Sequence, residues 1–502
     1  MDALVGGLTQ VFTFPAFALM LLGIVIGFLV GILPGLGGPT ALALMLPFIF
    51  EMEPVEAFAF LLGMAAVTAT TGDITSVLFG VPGEGTSAAT VIDGRAMARR
   101  GQAGRALGAA LMSSLVGAIL GAFLLAASVP IIRPLVLTFE TPELFALALL
   151  GLTFVAALSG RNLFKGVIAA GLGLMIATVG LDPQSATQRY TFGELRLWDG
   201  VGLVPAVVGL YAIPEVIDLW ARGATTMHTT TEKISGVWQG VKDTFAHWGV
   251  TVRCSVIGMG IGVLPGMGAA IAQWVAYAHA QQSAKDKSEF GKGDVRGVLG
   301  PGAANNSGLG GSLIPAVAFG VPGSVTTAIL LGAFIIQGLQ PGPAMLRGDN
   351  LEITFSLVWI IVVANIITVG ACLLFIDKVA KIAYAPVAYL VPAILLMVLL
   401  GGYAERNAVF DIGTTFVFGL LGLAMLHLDW PRPPLLLGLV LGPLIERNLF
   451  ISHSLYGVDF ITRPIVVIVL VSAVLMLLLP VVRQLLAKRF GIKEDTLVSD
   501  ET

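Results

Sequence analysis

Apolar stretches long enough to cross a lipid bilayer follow one another along almost the whole chain, and several are broken by a glycine–proline motif. No other feature constrains the fold as strongly. In hydrocarbon every backbone N–H and C=O needs a partner within the protein. Irregular backbone therefore survives at membrane depth only where protein surrounds it or a water-filled cavity adjoins it. Charged residues make up 12% of the 502 positions, about half the share usual in soluble domains, and the mean hydropathy is +0.91. At about 20 residues per helical span, there is room for roughly ten to twelve membrane-crossing or re-entrant segments. The expected fold is an all-α polytopic membrane protein embedded in a lipid bilayer. A net charge of −3 speaks against a nucleic-acid partner. Cys254 and Cys372 both sit in apolar surroundings and suggest no disulfide framework. The opening MDALVGGLTQ has neither the basic region nor the small-residue site of a cleavable signal.

The breaks come in pairs. GILPGLGG at 31–38 returns as GVLPGMGA at 262–269, an offset of 231, and FGVPG at 79–83 returns at 319–323, an offset of 240. SGRNLF at 159–164 has a looser counterpart in AERNAVF at 404–410. Two motifs repeated in the same order predict two related halves. These are residues 1–221 and 249–482, with a polar linker at 222–248 and a tail at 483–502. Loop charge then relates the halves. After the first LPG motif the next polar loop is acidic, EMEPVE at 51–56; after the second it is basic-rich, AKDKSEFGKGDVR at 284–296. DGRAMARRGQAGR at 93–105 carries four arginines, whereas QPGPAMLRGDN at 340–350 carries one. Cytoplasmic loops are enriched in Lys and Arg, so corresponding loops fall on opposite sides of the membrane, the mark of inverted-topology repeats. Loops 93–105, 222–248 and 281–296 and the basic tail read as cytoplasmic, and 51–56 and 340–352 as external. The segment between 222–248 and 281–296 then enters and leaves on one side as a hairpin turning at LPGMGA. Residues 15–50 form its counterpart, with a membrane-crossing broken helix as the alternative.

Each break frees N–H groups at the start of the next half-helix, where an anion is favoured. The candidate anion-binding residues are Gly35, Gly37, Gly83, Gly85, Thr86 and Ser87 in the first half. In the second half they are Gly266, Gly268, Asn305, Asn306, Gly323, Ser324, Thr326 and Thr327. Hard cations prefer hydroxyl, amide and carbonyl oxygens, which makes Thr70, Thr71, Asp73, Thr75, Ser76 and Ser307 candidates for a sodium or proton site. A charge at mid-membrane costs about 2.5–3.5 kcal/mol on insertion scales, so Asp73 and Glu84 require a role unless they lie solvated near the interface. Asp73 suits the cation, since it would repel an anion. Glu215 and Glu446 read as braces of helix ends. Segments 31–40, 70–87, 262–270 and 305–327 contain no Lys or Arg, so helix N-termini, each about half a positive charge, would have to hold the anion together with bound cations. HExxH, GxxxxGK[ST] and GxSxG are all missing from the sequence. It therefore offers no zinc, P-loop or serine-nucleophile chemistry, and neither an enzyme nor a cofactor is expected.

Six segments in order carry a resemblance: GILPGLGG, SVLFGVPGEGTSAATVIDG, GLDPQSATQRYTFG, GVLPGMGAAIAQWVAYAHA, AFGVPGSVTTAILLGAF and LLLGLVLGPLIERNLF. Over roughly residues 15 to 490 the chain resembles the large membrane subunit of the tripartite tricarboxylate transporters. The resemblance implies a multi-pass permease of the bacterial inner membrane. It also implies a small four-helix membrane subunit and a periplasmic solute-binding protein as partners. The implied activity is uptake of citrate-like or other carboxylates driven by Na+ or H+. A secondary transporter accounts for the inverted repeat, the paired breaks and the polar midplane together. An anion channel, or a cation-coupled exporter or antiporter of small organic acids, is the alternative. Transport is expected to follow an elevator movement of the broken-helix part against a scaffold of uninterrupted spans such as 106–130 and 353–376.

Overall fold

The structure, a computed structural model, describes residues 2–33, 37–158, 163–222, 234–376, 378 and 387–490. Gly35, part of the 222–248 linker and the end of the basic tail lie outside the described residues. The described chain is helical apart from one two-residue ladder. The first helices are α1 (Asp2–Val11), α2 (Phe14–Gly31), α3 (Gly38–Met45) and α4 (Pro54–Phe79). They are followed by α5 (Thr90–Arg99), α6 (Ala103–Val136), α7 (Thr141–Leu158) and α8 (Leu163–Ala177). Strands β1 (Gly180–Leu181) and β2 (Gln188–Arg189) precede α9 (Leu203–Arg222), α10 (Val237–Ala246), α11 (Trp248–Val263) and α12 (Gly268–Ser283). The remainder comprises α13 (Arg296–Phe319), α14 (Val325–Ile336), α15 (Asn350–Leu374), α16 (Val387–Ala404), α17 (Val409–His427), α18 (Arg432–Tyr456) and α19 (Pro464–Phe490). Among the described residues, seven helices (α2, α4, α6, α9, α15, α17 and α18) are long and apolar enough to cross a membrane, and further apolar helices are shorter. This is a multi-pass membrane protein.

The chain forms two compact units, residues 1–138 with 201–428 and residues 139–200 with 429–502, each drawing on both sequence halves. In the larger unit α4 and α13 are buried almost along their full length. Pro54 opens α4, Glu53 and Glu56 close its N-terminus reciprocally, and Gly80 ends it in the left-handed conformation at φ 72°. Helix α13 packs along α6, where small residues bring the backbones together: Gly117 lies against Ala303, and Gly121 against Ser307. Helix α15 packs on both α4 and α6. The spans 106–130 and 353–376, expected to form a separate scaffold, are thus packed directly onto the broken helices.

Two stretches expected as polar loops are largely helical. In 93–105 the arginines Arg95 and Arg99 lie on one side of α5, and the buried residues Thr90, Asp93, Gly94 and Met97 recur at helical spacing on the other. Only residues 100–102 separate α5 from α6. In 222–248, α10 buries Val237, Gly240, Val241 and Thr244 at the same spacing and lies on α6. Arg105 Nε of α6 pairs there with Asp243 Oδ2 at 2.5 Å.

In the smaller unit α18 packs on α8 through facing glycines, Gly173 against Leu435 and Gly438 against Ala170. The β-hairpin pairs Gly180 with Arg189 and Leu181 with Gln188, antiparallel. Asp182 Oδ1 accepts from the N–H groups of Gln184 and Ser185 at 2.8 and 2.9 Å. Those N–H groups, then the Arg189 guanidinium, hold its carboxyl below the usual range. Arg189 reaches both oxygens of Glu446, at 2.5 and 3.1 Å, so Glu446 braces the hairpin from within α18. Near the start of α7, Arg463 pairs with Glu140 at 2.7 Å and Glu143 at 3.1 Å. The Tyr456 hydroxyl and then Arg463 lower the Glu140 pKa.

Candidate functional site

The two VPG segments of the larger unit adopt the same local form. Helix α4 ends at Gly80 (φ 72°) and α13 at Gly320 (φ 70°). Four residues further on, Glu84 and Ser324 take matching extended conformations, φ −148° ψ 171° and φ −150° ψ 170°. Each is joined to the residue three positions ahead: the Ser87 hydroxyl donates to Glu84 O at 3.0 Å, and Ser324 N donates to Thr327 Oγ1 at 2.8 Å. The intervening glycines sit in tight clefts. A Cβ on Gly83 would lie 2.6 Å from both Gly31 O and Gly72 Cα, and one on Gly323 would lie 2.5 Å from Gly262 O and 2.7 Å from Ser312 Cβ. In each half the VPG break is therefore wedged between the end of the helix leading to the LPG motif and the middle of its own helix.

Around these breaks lies a cavity of about 280 Å³. It is lined by Gly37 and Pro39, by Ala65, Thr68 and Ala69 of α4, by Glu84–Thr86, by Gly266–Ala270, by Asn305, Leu309 and Ser312 of α13, and by Ser324–Thr326. Among the described residues its lining holds no Lys, Arg or His, and Glu84 is its one ionisable group. Of the residues marked in the sequence for anion binding, Gly37, Gly85, Thr86, Gly266, Gly268, Asn305, Ser324 and Thr326 line it. Gly83, Ser87, Gly323 and Thr327 support the two breaks behind that lining, and Asn306 lies in the core. Glu84, singled out in the sequence only as an acid needing a role, lines the cavity as well. So do Thr68 and Ser312, which the sequence did not mark for a ligand although they stand at the ends of the polar stretches 68–76 and 305–312.

Glu84 fills one of the helix N-termini itself. Its Oε2 accepts from Gly38 N at 2.9 Å, at the start of α3, and its Oε1 accepts from the Thr86 hydroxyl. The start of α14 differs: Ser324 caps it with a hydroxyl, and Thr327 N donates to Ser324 Oγ at 3.2 Å. The first two N–H groups of a helix have no intrahelical partner, and Val325 and Thr326 at that start both border the cavity. Gln273 of α12, also missed from sequence, stitches the halves together. Its amide donates to Gly85 O, and its Oε1 accepts from Ala89 N at 2.9 Å.

The residues marked for a cation are dispersed. The hydroxyls of Thr71, Thr75 and Ser307 bond to carbonyls of their own helices, Val67 O, Gly72 O and Ala304 O. Ser76 Oγ lies 2.9 Å from Ser87 O, and Thr70 joins a cluster with Asn306 and Asn365. Asp73 is completely buried, and neither carboxylate oxygen has a hydrogen-bond partner. The Thr90 hydroxyl of α5 faces it. A wholly buried carboxylate left this way needs a proton or a counter-ion.

The larger unit thus carries a cavity among broken helices, with no basic side chain in its lining among the described residues, in a multi-pass helical membrane protein. Residues 17–437 match the Tripartite tricarboxylate transporter TctA family, and the chain belongs to it, as the large membrane subunit. It is a transporter subunit and not an enzyme, in a family whose members act in tricarboxylate transport within a tripartite system. The chain is 33% identical over 483 residues to an uncharacterized 52.8 kDa protein of the TAR-I ttuC' 3' region in Agrobacterium vitis, covering 94% of this chain and 95% of that protein. It is 34% identical over 233 residues to an uncharacterized protein of the TAR-II ttuC' 3' region in the same organism, covering 44% of this chain and 94% of that protein. No solved structure matches.

Proposed function

We propose that this chain is the permease of a cation-coupled carboxylate importer in the bacterial inner membrane. A periplasmic solute-binding protein feeds it, and a small four-helix membrane subunit accompanies it. The observation that carries the reading is the cavity lined by residues at or just after the breaks of both halves, Gly37 and Pro39, Glu84–Thr86, Gly266–Ala270 and Ser324–Thr326, with no basic side chain among the described residues. The substrate carboxylates are held by N–H groups and hydroxyls around Gly266–Gly268 and Ser324–Thr327, with Asn305 beside them and Gly83–Ser87 shaping the opposite wall. Helix N-termini favour negative charge, and a bound cation offsets what they leave uncompensated. Asp73 carries that cation, Na+ or H+, because its unpartnered carboxylate is stable in a core only when neutralised. Substrate and cation then stabilise each other's binding.

The matched breaks and the loop-charge swap support two inverted repeats, with 93–105 and 281–296 cytoplasmic and 51–56 and 340–352 periplasmic. Movement follows an elevator pattern in which α6 and α15 travel with α4 and α13, since they pack against them. The test is uptake of labelled citrate and other carboxylates into proteoliposomes with the binding protein, under imposed Na+ or proton gradients. Gradient-driven accumulation is expected, and Asp73→Asn should weaken gradient-dependent uptake more than anion binding measured without a gradient. Accumulation independent of both gradients, or an Asp73→Asn protein with normal cation dependence, overturns the reading.

A further inference from the structure

Immediately behind the cavity wall is a polar cluster that the mechanism above leaves unused. Asn305 and Ala69 line the cavity, and the Asn305 amide donates to Ala69 O at 2.8 Å. The next residue on each helix, Asn306 of α13 and Thr70 of α4, meets Ser114 of α6 and Asn365 of α15. All four side chains are fully buried. Asn306 Nδ2 lies 2.6 Å from Thr70 Oγ1, 2.7 Å from Ser114 Oγ and 2.9 Å from Asn365 Oδ1. Thr70 Oγ1 is itself 2.9 Å from Asn365 Oδ1.

The cluster leaves one acceptor unmet. The two hydrogens of the Asn306 amide can serve Thr70 and Ser114 while the Thr70 hydroxyl, also 3.1 Å from Ala66 O, serves Asn365 Oδ1, but Asn306 Oδ1 has no donor at all. Turning the amide over gives Oδ1 the Thr70 and Ser114 hydroxyls but sets it against Asn365 Oδ1. Asn365 cannot turn in response without loss, because its Nδ2 donates to Ile361 O at 2.9 Å. Each arrangement leaves an orphaned acceptor or two oxygens face to face, in a core where water cannot repair the defect. A small monovalent cation removes the conflict, since hydroxyl and amide oxygens are the ligands a hard cation takes. The close α6–α13 approach at Gly117 and Gly121 keeps the cluster narrow, which suits sodium better than a larger ion.

We propose that Thr70, Ser114, Asn306 and Asn365 form a charge-neutral sodium site between α4, α6, α13 and α15, distinct from Asp73. Because two of its ligands directly follow the wall residues Ala69 and Asn305, sodium there braces the wall of the anion cavity and links the two occupancies. This deepens the cation-coupled reading and rests on it for the consequence in transport, but the binding itself is measured without transport.

The test uses the purified full-length protein in detergent, titrated with sodium chloride against choline chloride at constant ionic strength. Binding of radioactive sodium and the thermal unfolding midpoint are both followed. Saturable, sodium-specific binding is expected, with the half-saturating concentration rising about tenfold or more in Ser114→Ala and Asn365→Ala, as loss of a ligand requires, and Ser114→Thr retaining it. If Asn365→Ala is not monodisperse, Asn365→Asp, which keeps an oxygen ligand and adds a charge, must raise sodium affinity. A wild-type protein indifferent to sodium, or Ser114→Ala and Asn365→Ala proteins that bind it normally, overturns the proposal. Binding abolished only by Asp73→Asn also refutes this site while leaving the cation-coupled reading intact. Sodium binding lost in the Ser114 and Asn365 variants, with neither sodium- nor proton-driven uptake by the wild type, upholds the site and sinks that reading.

Discussion

Replacing Gly83 by alanine tests the geometry on which the whole site depends. The new Cβ would lie 2.6 Å from Gly31 O and 2.6 Å from Gly72 Cα, where ordinary packing sets carbon at about 3.5 Å or more. Both obstacles are backbone, one on α2 and one on α4, so no side chain can rotate out of the way. Overpacking of this kind costs about 1–3 kcal/mol. Backing the break away also sacrifices the Gly83 N–H to Gly72 O bond of 3.3 Å, worth about 1 kcal/mol. The expected loss is roughly 2–4 kcal/mol, together with a displaced cavity wall and reduced uptake. Gly323→Ala should behave alike, with Gly262 O at 2.5 Å and Ser312 Cβ at 2.7 Å. Gly85→Ala is the control: it borders the same cavity, but its Cβ would meet only Ala270 Cβ at 3.9 Å, and its stability should hold. Thermal unfolding of the three purified variants, alongside labelled-carboxylate uptake, decides the matter. If Gly83→Ala and Gly323→Ala unfold at the same temperature as Gly85→Ala, the wedged-break geometry is wrong.

Asp93 accepts from Gly293 N at 2.7 Å, Asp294 N at 3.0 Å and Tyr277 Oη at 2.9 Å while fully buried. Asp93→Ala should therefore cost roughly 2–4 kcal/mol and Tyr277→Phe about 1 kcal/mol, measured by thermal unfolding; equal effects would contradict this. The Asp182 carboxyl is held below its ordinary value of 3.8, so its contribution is present above that value and lost as pH falls through the lower folded value. Hydrogen-exchange protection at residues 180–190, taken relative to the intrinsic rate at each pH, should hold from neutral pH to about pH 5 and fall only in stronger acid; loss of protection above that range would refute the assignment. Arg189→Lys removes the two-pronged contact with Glu446 and should loosen the same hairpin at neutral pH, an effect absent from hydrogen exchange only if the pair is incidental. Single cysteines at 51–56 and 340–352 should react with an impermeant reagent from outside, while those at 93–105 and 281–296 should not.

The sequence carried the outline of the fold because the membrane leaves so few choices. Apolar length specified helices, and the paired LPG and VPG motifs marked where helices break, since proline and glycine at membrane depth survive only beside protein or a cavity. What it could not convey was which side chains share a surface. Asn305 and Asn306 are neighbours in sequence, yet one faces the cavity and the other is locked behind it, a distinction set by the rotation of α13. The charged stretch 93–105 looked like a loop because its arginines dominate the composition, whereas the four buried positions at helical spacing decide its structure. Gln273 and Asn365 went unnoticed because each is a single amide in an apolar helix, and its importance depends on the distant residue it meets.

Glu84 gives the cavity a direction. In the first half a carboxylate already accepts from the N-terminus of α3 through Gly38, while at the matched position of the second half Ser324 is neutral and caps α14 with its hydroxyl. Two helix N-termini that would otherwise attract anions equally are thereby made unequal. On the proposed reading, an arriving carboxylate would meet a filled cradle on one side and the N–H groups of Val325 and Thr326, without intrahelical partners, on the other. Among the described residues the lining holds no arginine or lysine, so the negative charge of a bound carboxylate would, on the proposed reading, be met by helix N-termini and cations rather than by side chains. The protein would then bind its anion weakly without the coupling ion, and such ion-dependent affinity is what a cation-driven transporter requires.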